Sequence, residues 1–381
     1  MIPRTIFDQD HELYRDAVCK FIEAEITPFH DQWEKDGVVP RELWLKAGEA
    51  GVLCSNVSEE YGGPGADFLY NVVLHEELAK AMATGPGFAI HSDMVATYID
   101  RFGTEEQKRT WLPIMVSGEA IGALGLTEPG AGSDLKAIQT RAVREGDDYV
   151  INGQKVFISN GQLCDLVVLA CKTDPDAGAR GMSFIIVESD RPGFTRGRNL
   201  EKIGAKAQDT SELFFEDVRV PVSNRIGEEG EGFRIAMTNL AHERITVAAS
   251  AMTQIEAAIG WTCDYTRERK AFGQTIAEFQ NTRFTLAQLS AEASALRVFV
   301  DECIRLATAG ELGGVDAAKA KMLTTELLGR TADSCLQFFG GYGYMREYPI
   351  ARLFTDCRVR RIAGGSTEVM KQIISRDLFN G

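Results

Sequence analysis

The chain has 381 residues, 44% of them apolar and 25% charged, the balance of an ordinary globular protein long enough for several packed units. That balance excludes a disordered chain, a collagen-like chain and a coiled-coil rod. With 41 Lys plus Arg against 55 Asp plus Glu the net charge is -14, which argues against general nucleic-acid binding and against residence on an anionic membrane.

No stretch approaches the roughly 18 apolar residues of a membrane span. The first residues have neither the apolar core of a secretory signal nor the composition of a transit peptide, so a cytoplasmic location is expected. The eight cysteines are scattered without a C-x-x-C pair and read as reduced core thiols; no metal site is expected.

Residues 1–121 read as helical. Leu13, Val18, Phe21 and Ile22 recur at helical spacing between Glu12 and Ile26. Gly62-Gly63-Pro64-Gly65 breaks the pattern before a second helical stretch from Asp67 to Met82. Thr104 with Gln107 forms a capping-box pattern ahead of Trp111-Leu112.

Residues 122–232 change texture. Tyr149-Val150-Ile151, Val156-Phe157-Ile158, Leu166-Val167-Val168-Leu169 and Phe184-Ile185-Ile186-Val187 are short β-branched or aromatic runs separated by turn residues such as Asn152-Gly153 and Asn160-Gly161. Regular short strands with no helices between them predict an antiparallel sheet or barrel rather than a Rossmann unit. Residues 233–381 return to the helical period, with long stretches over 233–268, 281–309 and 316–339 and a shorter one over 367–380, as in a helix bundle. The fold class is therefore α+β: an all-α block, a β-domain and a second all-α block.

The common nucleotide and hydrolase motifs fail. There is no P-loop, Gly341-Tyr342-Gly343 lacks the third glycine of a dinucleotide fingerprint, and Gly364-Gly365-Ser366-Thr367-Glu368 lacks the closing glycine of a nucleophile elbow. His75-Glu76 begins a zincin pattern that Ala79 ends, and with five histidines in the chain His75 and His91 read as structural.

Three features remain. Gly125-Leu126-Thr127-Glu128-Pro129-Gly130-Ala131-Gly132-Ser133-Asp134 offers an anion-binding nest, or simply a Pro-Gly turn with an Asx cap. Gln337-Phe338-Phe339-Gly340-Gly341-Tyr342-Gly343, followed by Gly364-Gly365-Ser366, suits a backbone approached closely by another body, or a helix C-cap and loop. Glu243 has Ala236, Leu240 and Val247 on its own helical face. A carboxylate on an apolar face has a raised pKa suited to a general base, unless it is locally paired with Arg244 or His242.

Together these segments, with Val156-Phe157-Ile158-Ser159-Asn160-Gly161 and Arg269-Lys270-Ala271-Phe272-Gly273, resemble the acyl-CoA dehydrogenases in order and spacing over essentially the whole chain. The resemblance implies an N-terminal helical domain, a middle antiparallel β-barrel and a C-terminal four-helix bundle, assembled as a homotetramer. It also implies FAD as cofactor, an acyl-CoA substrate in fatty acid β-oxidation and an electron-transfer flavoprotein as acceptor. By that likeness Leu126, Thr127, Gly132, Ser133, Phe157, Ile158 and Ser159 meet the flavin, and Ser133 also meets the substrate. Arg269, Phe272, Gln337, Gly340 and Gly341 are expected at the FAD diphosphate and adenine, from a neighbouring subunit, with Ser366 and Glu368 at the last adenine-side positions.

One departure is informative. Most of the family carry the catalytic Glu where this chain has Gly364. The long-chain and isovaleryl types carry it instead on the first long C-terminal helix, just before an Arg, and Leu240-Ala241-His242-Glu243-Arg244 has that arrangement. The resemblance thus implies Glu243 as base, with Leu240 and Arg244 at the substrate and the Gly364 N–H polarising the thioester carbonyl. Gly85-Pro86-Gly87-Phe88-Ala89-Ile90-His91-Ser92 and the 207–215 stretch resemble the long-chain subgroup. Isovaleryl- or citronellyl-like branched substrates, an acyl-CoA oxidase and a non-catalytic acyl-CoA or flavin scaffold are the alternatives. Arg196-Gly197-Arg198 and Arg360-Arg361 are candidate contacts for the CoA nucleotide.

Overall fold

Helix α1 (Gln9–Glu25) begins where Asp8 accepts the N–H groups of Asp10 and His11, a cap that satisfies donors no earlier turn can reach. The computed structural model describes residues 2–380. Val18, Phe21 and Ile22 face the core, but Leu13 is 60% exposed. Five residues before Val18 is about 140° around the helix, so Leu13 lies off the apolar stripe that His11 completes instead. Helices α2 (His30–Asp36), α3 (Arg41–Glu49) and α4 (Phe68–Lys80) follow, α4 capped by Asp67. A π-helical turn, Ile90–Ala96, runs into α5 (Thr97–Phe102). Helix α6 (Glu105–Val116) starts at the capping box of Thr104 and Gln107.

The first strand, β1 (Gly122–Gly125), opens the sheet, followed by β2 (Arg141–Glu145), β3 (Asp148–Ser159), β4 (Leu166–Lys172), β5 (Met182–Glu188), β6 (Phe194–Asn199), β7 (Thr210–Pro221) and β8 (Arg225–Ile226). They form one eight-stranded sheet in the order β6-β7-β3-β2-β4-β5-β8, with β1 beside β4. Most neighbours are antiparallel, as the strand texture predicts; β1–β4 and β2–β4 are parallel. Those two pairings join strands distant in sequence, which turn residues do not encode.

Asn152-Gly153 is not a turn. It lies inside the single strand β3, opposite an extra residue of β7 at Asp217. The Asn152 side chain fills the irregularity by donating to Asp217 Oδ1 (2.9 Å) and accepting its N–H (3.0 Å). A Cβ at Gly153 would lie 2.5 Å from Thr140 Oγ1, so only glycine lets the strands approach. A second bulge follows Lys155, where β3 gains a residue against β7.

Helix α7 (Gly232–Glu268) opens the C-terminal block and packs against α4, α8 (Gln280–Thr308) and α9 (Gly314–Phe339). A small hairpin of β9 (Lys270–Ala271) and β10 (Gln274–Thr275) separates α7 from α8. Short α10 (Pro349–Asp356) leads to α11 (Thr367–Asn380), which packs on α9, so the block has four principal helices. An ion network ties it to the N-terminal helices. Arg4 pairs with Glu76 (2.9 Å) and Asp301 (2.8 Å), while Arg297 pairs with Glu76 (3.2 Å) and Glu256 (2.7 Å). Among the described residues no helix is long and apolar enough to cross a membrane.

Candidate active site

Glu243 sits in the first half of α7, facing the π-helical turn and α5, and is 5% exposed. Its Oε1 has no hydrogen-bond partner among the described residues. The neighbouring Arg244 and His242 do not pair with it, because consecutive side chains on a helix point about 100° apart. Burial pushes the Glu243 carboxyl up to about 7, opposed by the Arg244 charge and assisted by Asp93. The Tyr98 hydroxyl faces the Glu243 carboxyl outside full hydrogen-bond geometry, yet near enough to favour its ionised form slightly, and burial beside that carboxylate raises the Tyr98 pKa well above the ordinary value.

The wider polar setting is ordered. Asp93, on the π-helical turn, accepts from Asn71 Nδ2 and His75 Nε2, both at 2.5 Å. His75 is thus a partnered structural histidine. His91 is another: its Nδ1 accepts the Gly122 N–H (3.0 Å) and its Nε2 donates to Met115 O (2.9 Å), while burial lowers its pKa to about 4. Burial and the nearby Arg101 charge likewise lower His242 to about 4.

The buried Arg244 leads from Glu243 toward α9. Its Nε is unpartnered among the described residues, and burial lowers its pKa. Its charge, with burial as the larger cause, brings Lys321 down to about 8. Lys321 Nζ donates to Gly365 O at 2.5 Å. Gly364 and Gly365 have φ of 65° and 92°, a pair of left-handed residues that turns the chain into α11. An added Cβ on Gly364 would meet nothing within 4 Å, so there is room beside its N–H. Ser366 Oγ accepts the Val369 N–H at 3.4 Å, a helix-capping contact, and Glu368 is exposed in the first turn.

A groove of about 520 Å³ runs along the start of α7, lined by Ala179, Arg180, Gly230, Phe233, Arg234, Met237 and Thr238. Phe233, Met237, Leu240 and Arg244 recur at helical spacing, so the groove's stripe leads to Arg244, about 16 Å beyond Phe233, with Glu243 on the adjacent, buried face of the same turn. Lys136 Nζ lies 5.6 Å from the Phe233 ring, bringing the 126–136 loop to the groove's edge. Arg196 is engaged by Cys164 O and Ser189, and Arg198 by Glu212, while Arg361 lies 3.6 Å from Glu326. The cations at the groove are Arg180 and Arg234 instead.

The loop after β1 and the end of β3 form one wall. Thr127 O accepts the Val156 N–H at 2.9 Å. The second β3 bulge puts Phe157 at φ 61°, a conformation that strains an aromatic residue and turns its ring outward, 65% exposed. Ile158 is buried, Leu126, Thr127 and Ser159 are half-buried, and Gly132 and Ser133 are exposed at the loop tip. Asp134 caps the short turn that follows, so the Asx cap is present as well.

Arg269, Phe272, Gln337, Gly340 and Gly341 come together in a second cleft of about 860 Å³, which also includes Tyr265 and Tyr342. None of the wall residues lines it. Phe272 is 96% exposed at φ 53°. Neither Gly340 nor Gly341 has an atom within 4 Å of an added Cβ, leaving their backbone open. Aromatic rings, an arginine and open glycine backbone suit a ligand with both a flat ring and phosphates.

Models of the acyl-CoA dehydrogenase N-terminal, middle and C-terminal domains match residues 8–119, 123–218 and 230–379. The chain belongs to the acyl-CoA dehydrogenase family. It is 46% identical over 379 residues to the mitochondrial long-chain specific acyl-CoA dehydrogenase of Rattus norvegicus, covering 99% of this chain and 88% of that one. To the short-chain specific acyl-CoA dehydrogenase of Clostridium acetobutylicum it is 40% identical, covering 97% and 98%. The crystal structure of an acyl-CoA dehydrogenase from Geobacillus kaustophilus superposes with a TM-score of 0.97 at 48% identity, covering 99% of this chain and 100% of that one. Members of this family are FAD-dependent oxidoreductases.

Sequence reasoning missed Tyr98, Asp93 and Lys321 around Glu243, and Lys155 behind the wall. For the two lysines a signal existed. Lys321 falls on the inward stripe of Ala317, Thr324 and Leu328, and Lys155 stands in a strand among apolar residues. A lysine at a core position needs a partner.

Proposed function

We propose that this protein dehydrogenates a fatty acyl-CoA, medium-to-long chains favoured, to the trans-2-enoyl-CoA, with Glu243 removing the α-proton. The observation that carries this is Glu243 itself: buried, with a free oxygen and a pKa near 7, on α7 beside the Arg244 to which the groove's stripe leads. A carboxylate so placed is basic enough to act near neutral pH. The acyl-CoA lies along that groove, its phosphates near Arg180 and Arg234 and its thioester beyond Leu240. The Gly364 N–H, held by the Lys321 contact to Gly365, donates to the thioester carbonyl and makes the α-proton more acidic. Arg244 helps hold the thioester end.

The cofactor is FAD, which when bound accepts the β-hydride as Glu243 takes the α-proton. The outward Phe157 ring and the half-buried Leu126, Thr127 and Ser159 suit one face of a flat ring, with Gly132, Ser133 and Ile158 beside it. Arg269, Phe272, Gln337, Gly340 and Gly341 serve the diphosphate and adenine of an FAD in a neighbouring subunit, with Ser366 and Glu368 alongside. Exposed Phe272, Phe284 and Tyr344 on the C-terminal block support a homotetramer in which those surfaces are covered. An electron-transfer flavoprotein reoxidises the enzyme. The three functional units are residues 1–121, 122–232 and 233–381.

The test is anaerobic titration of the holoenzyme with acyl-CoAs of increasing length, reading loss of oxidised-flavin absorbance. The expected result is bleaching that is strongest with medium-to-long straight chains and abolished in Glu243→Gln. Bleaching confined to short branched chains overturns the chain preference, and a flavin that no acyl-CoA bleaches overturns the reaction.

A further inference from the structure

The wall assigned to the flavin is made of two strips far apart in sequence, one after β1 and one at the end of β3. A flat ring packed on both requires their spacing to be fixed. Lys155 is the residue common to them. It is 1% exposed and immediately precedes the bulge that turns Phe157 outward. Its Nζ donates to Leu126 O at 3.1 Å and to Glu128 Oε1 at 2.7 Å. Glu128 in turn accepts the Thr140 N–H at 3.0 Å and the Gln139 N–H at 2.6 Å, fastening the loop to the approach to β2. Burial pushes the Glu128 carboxyl up, yet Lys155 and these N–H donors hold it below its ordinary range.

A buried ion pair contributes little net stability over an apolar pair of similar volume. Stability alone therefore does not account for a charge pair at this junction, whereas geometry does. We infer that Lys155 and Glu128 form a positioning strut that sets the spacing of the two strips, acting on FAD binding through Leu126, Thr127 and Phe157 without touching the cofactor. This rests on the assignment of those strips to FAD in the proposed function.

The test compares the FAD dissociation constants of apoprotein carrying Lys155→Met or Glu128→Gln, together with amide hydrogen exchange at Gln139, Thr140 and Val156. Both variants are expected to weaken FAD by about tenfold or more, as the binding-ready wall becomes a minor population, and to exchange faster at those amides. Their effects are coupled, so the double variant loses less than the product of the singles. Glu128→Gln keeps the side-chain shape and carries the test where Lys155→Met does not fold. Phe157→Ala and Ser159→Ala report on the wall independently. Folded strut variants with unchanged FAD affinity and exchange, beside weakened Phe157→Ala, overturn the strut and leave the wall standing. Unchanged affinity in all four variants overturns the wall assignment itself, and the strut with it.

Discussion

Replacing Glu243 with Gln separates what the carboxylate does for the reaction from what it costs the fold. The carboxyl moves from an ordinary 4.5 to about 7 in the folded chain. A folded-state pKa above the unfolded one means that its share of stability is complete below pH 4.5 and is lost as pH rises through 7. The displacement corresponds to about 3 kcal/mol at pH 8. Gln resembles the protonated acid in shape and carries no charge at any pH. At pH 8 the variant is therefore expected to resist denaturant better than the parent by up to about 3 kcal/mol, while at pH 4.5 the two are expected to match. Turnover falls by roughly 10²–10⁴-fold, the weight of a general base. Denaturant midpoints of both proteins at the two pH values, with turnover alongside, are the measurement. A stability difference that does not change between pH 4.5 and 8 would refute the buried, unpaired carboxylate. Near-normal turnover would remove Glu243 from the base role.

Three further outcomes follow from the same site. The kcat/KM of the parent rises with pH through about 7, as Glu243 must be ionised to accept a proton; in Asp93→Asn, which removes a charge that raises Glu243, that limb moves to lower pH, and an unmoved limb counts against the coupling. Gly364→Ala fits the open space at that position, but holding φ 65° would strain it by roughly 1 kcal/mol. The turn relaxes and carries its N–H away from the carbonyl, so kcat falls by about tenfold with little loss of melting temperature; an unchanged kcat excludes Gly364 from the carbonyl contact. Arg234→Glu at the groove raises KM for acyl-CoA up to about fivefold and leaves kcat alone, and an unchanged KM places the CoA phosphates elsewhere.

The helical blocks were legible because caps and stripes are local. Thr104 with Gln107 and the α7 stripe could be read from residues three and four apart. The sheet was less so. Asn152-Gly153 has the composition of a hairpin turn, yet the chain runs straight through it, since its irregularity is set by Asp217 on another strand. The parallel pairings of β1 and β2 with β4 depend on the same kind of distant partner. At the site, the apolar face under Glu243 was readable, whereas its pocket also needed Tyr98 and Asp93, supplied by α5 and the π-helical turn. The cleft at Arg269 and Gly340 lies at one end of the bundle, where the end of α7, the start of α8 and the end of α9 meet, so its residues could be named by likeness but not connected by spacing.

The Arg4 network has a consequence for how the chain is made. Glu76 is 2% exposed, and one of its cations, Arg297, lies 221 positions further along. Arg4 itself closes on Asp301, 297 positions away. At roughly 5–20 residues per second a ribosome needs on the order of 15–60 s to deliver those partners. Until then helix α4 holds a carboxylate with only Arg4 and Arg15 against it, and the buckle that joins the N-terminal helices to the bundle stays open. Helices α1 and α4, although synthesised before α8, are thus completed only after it.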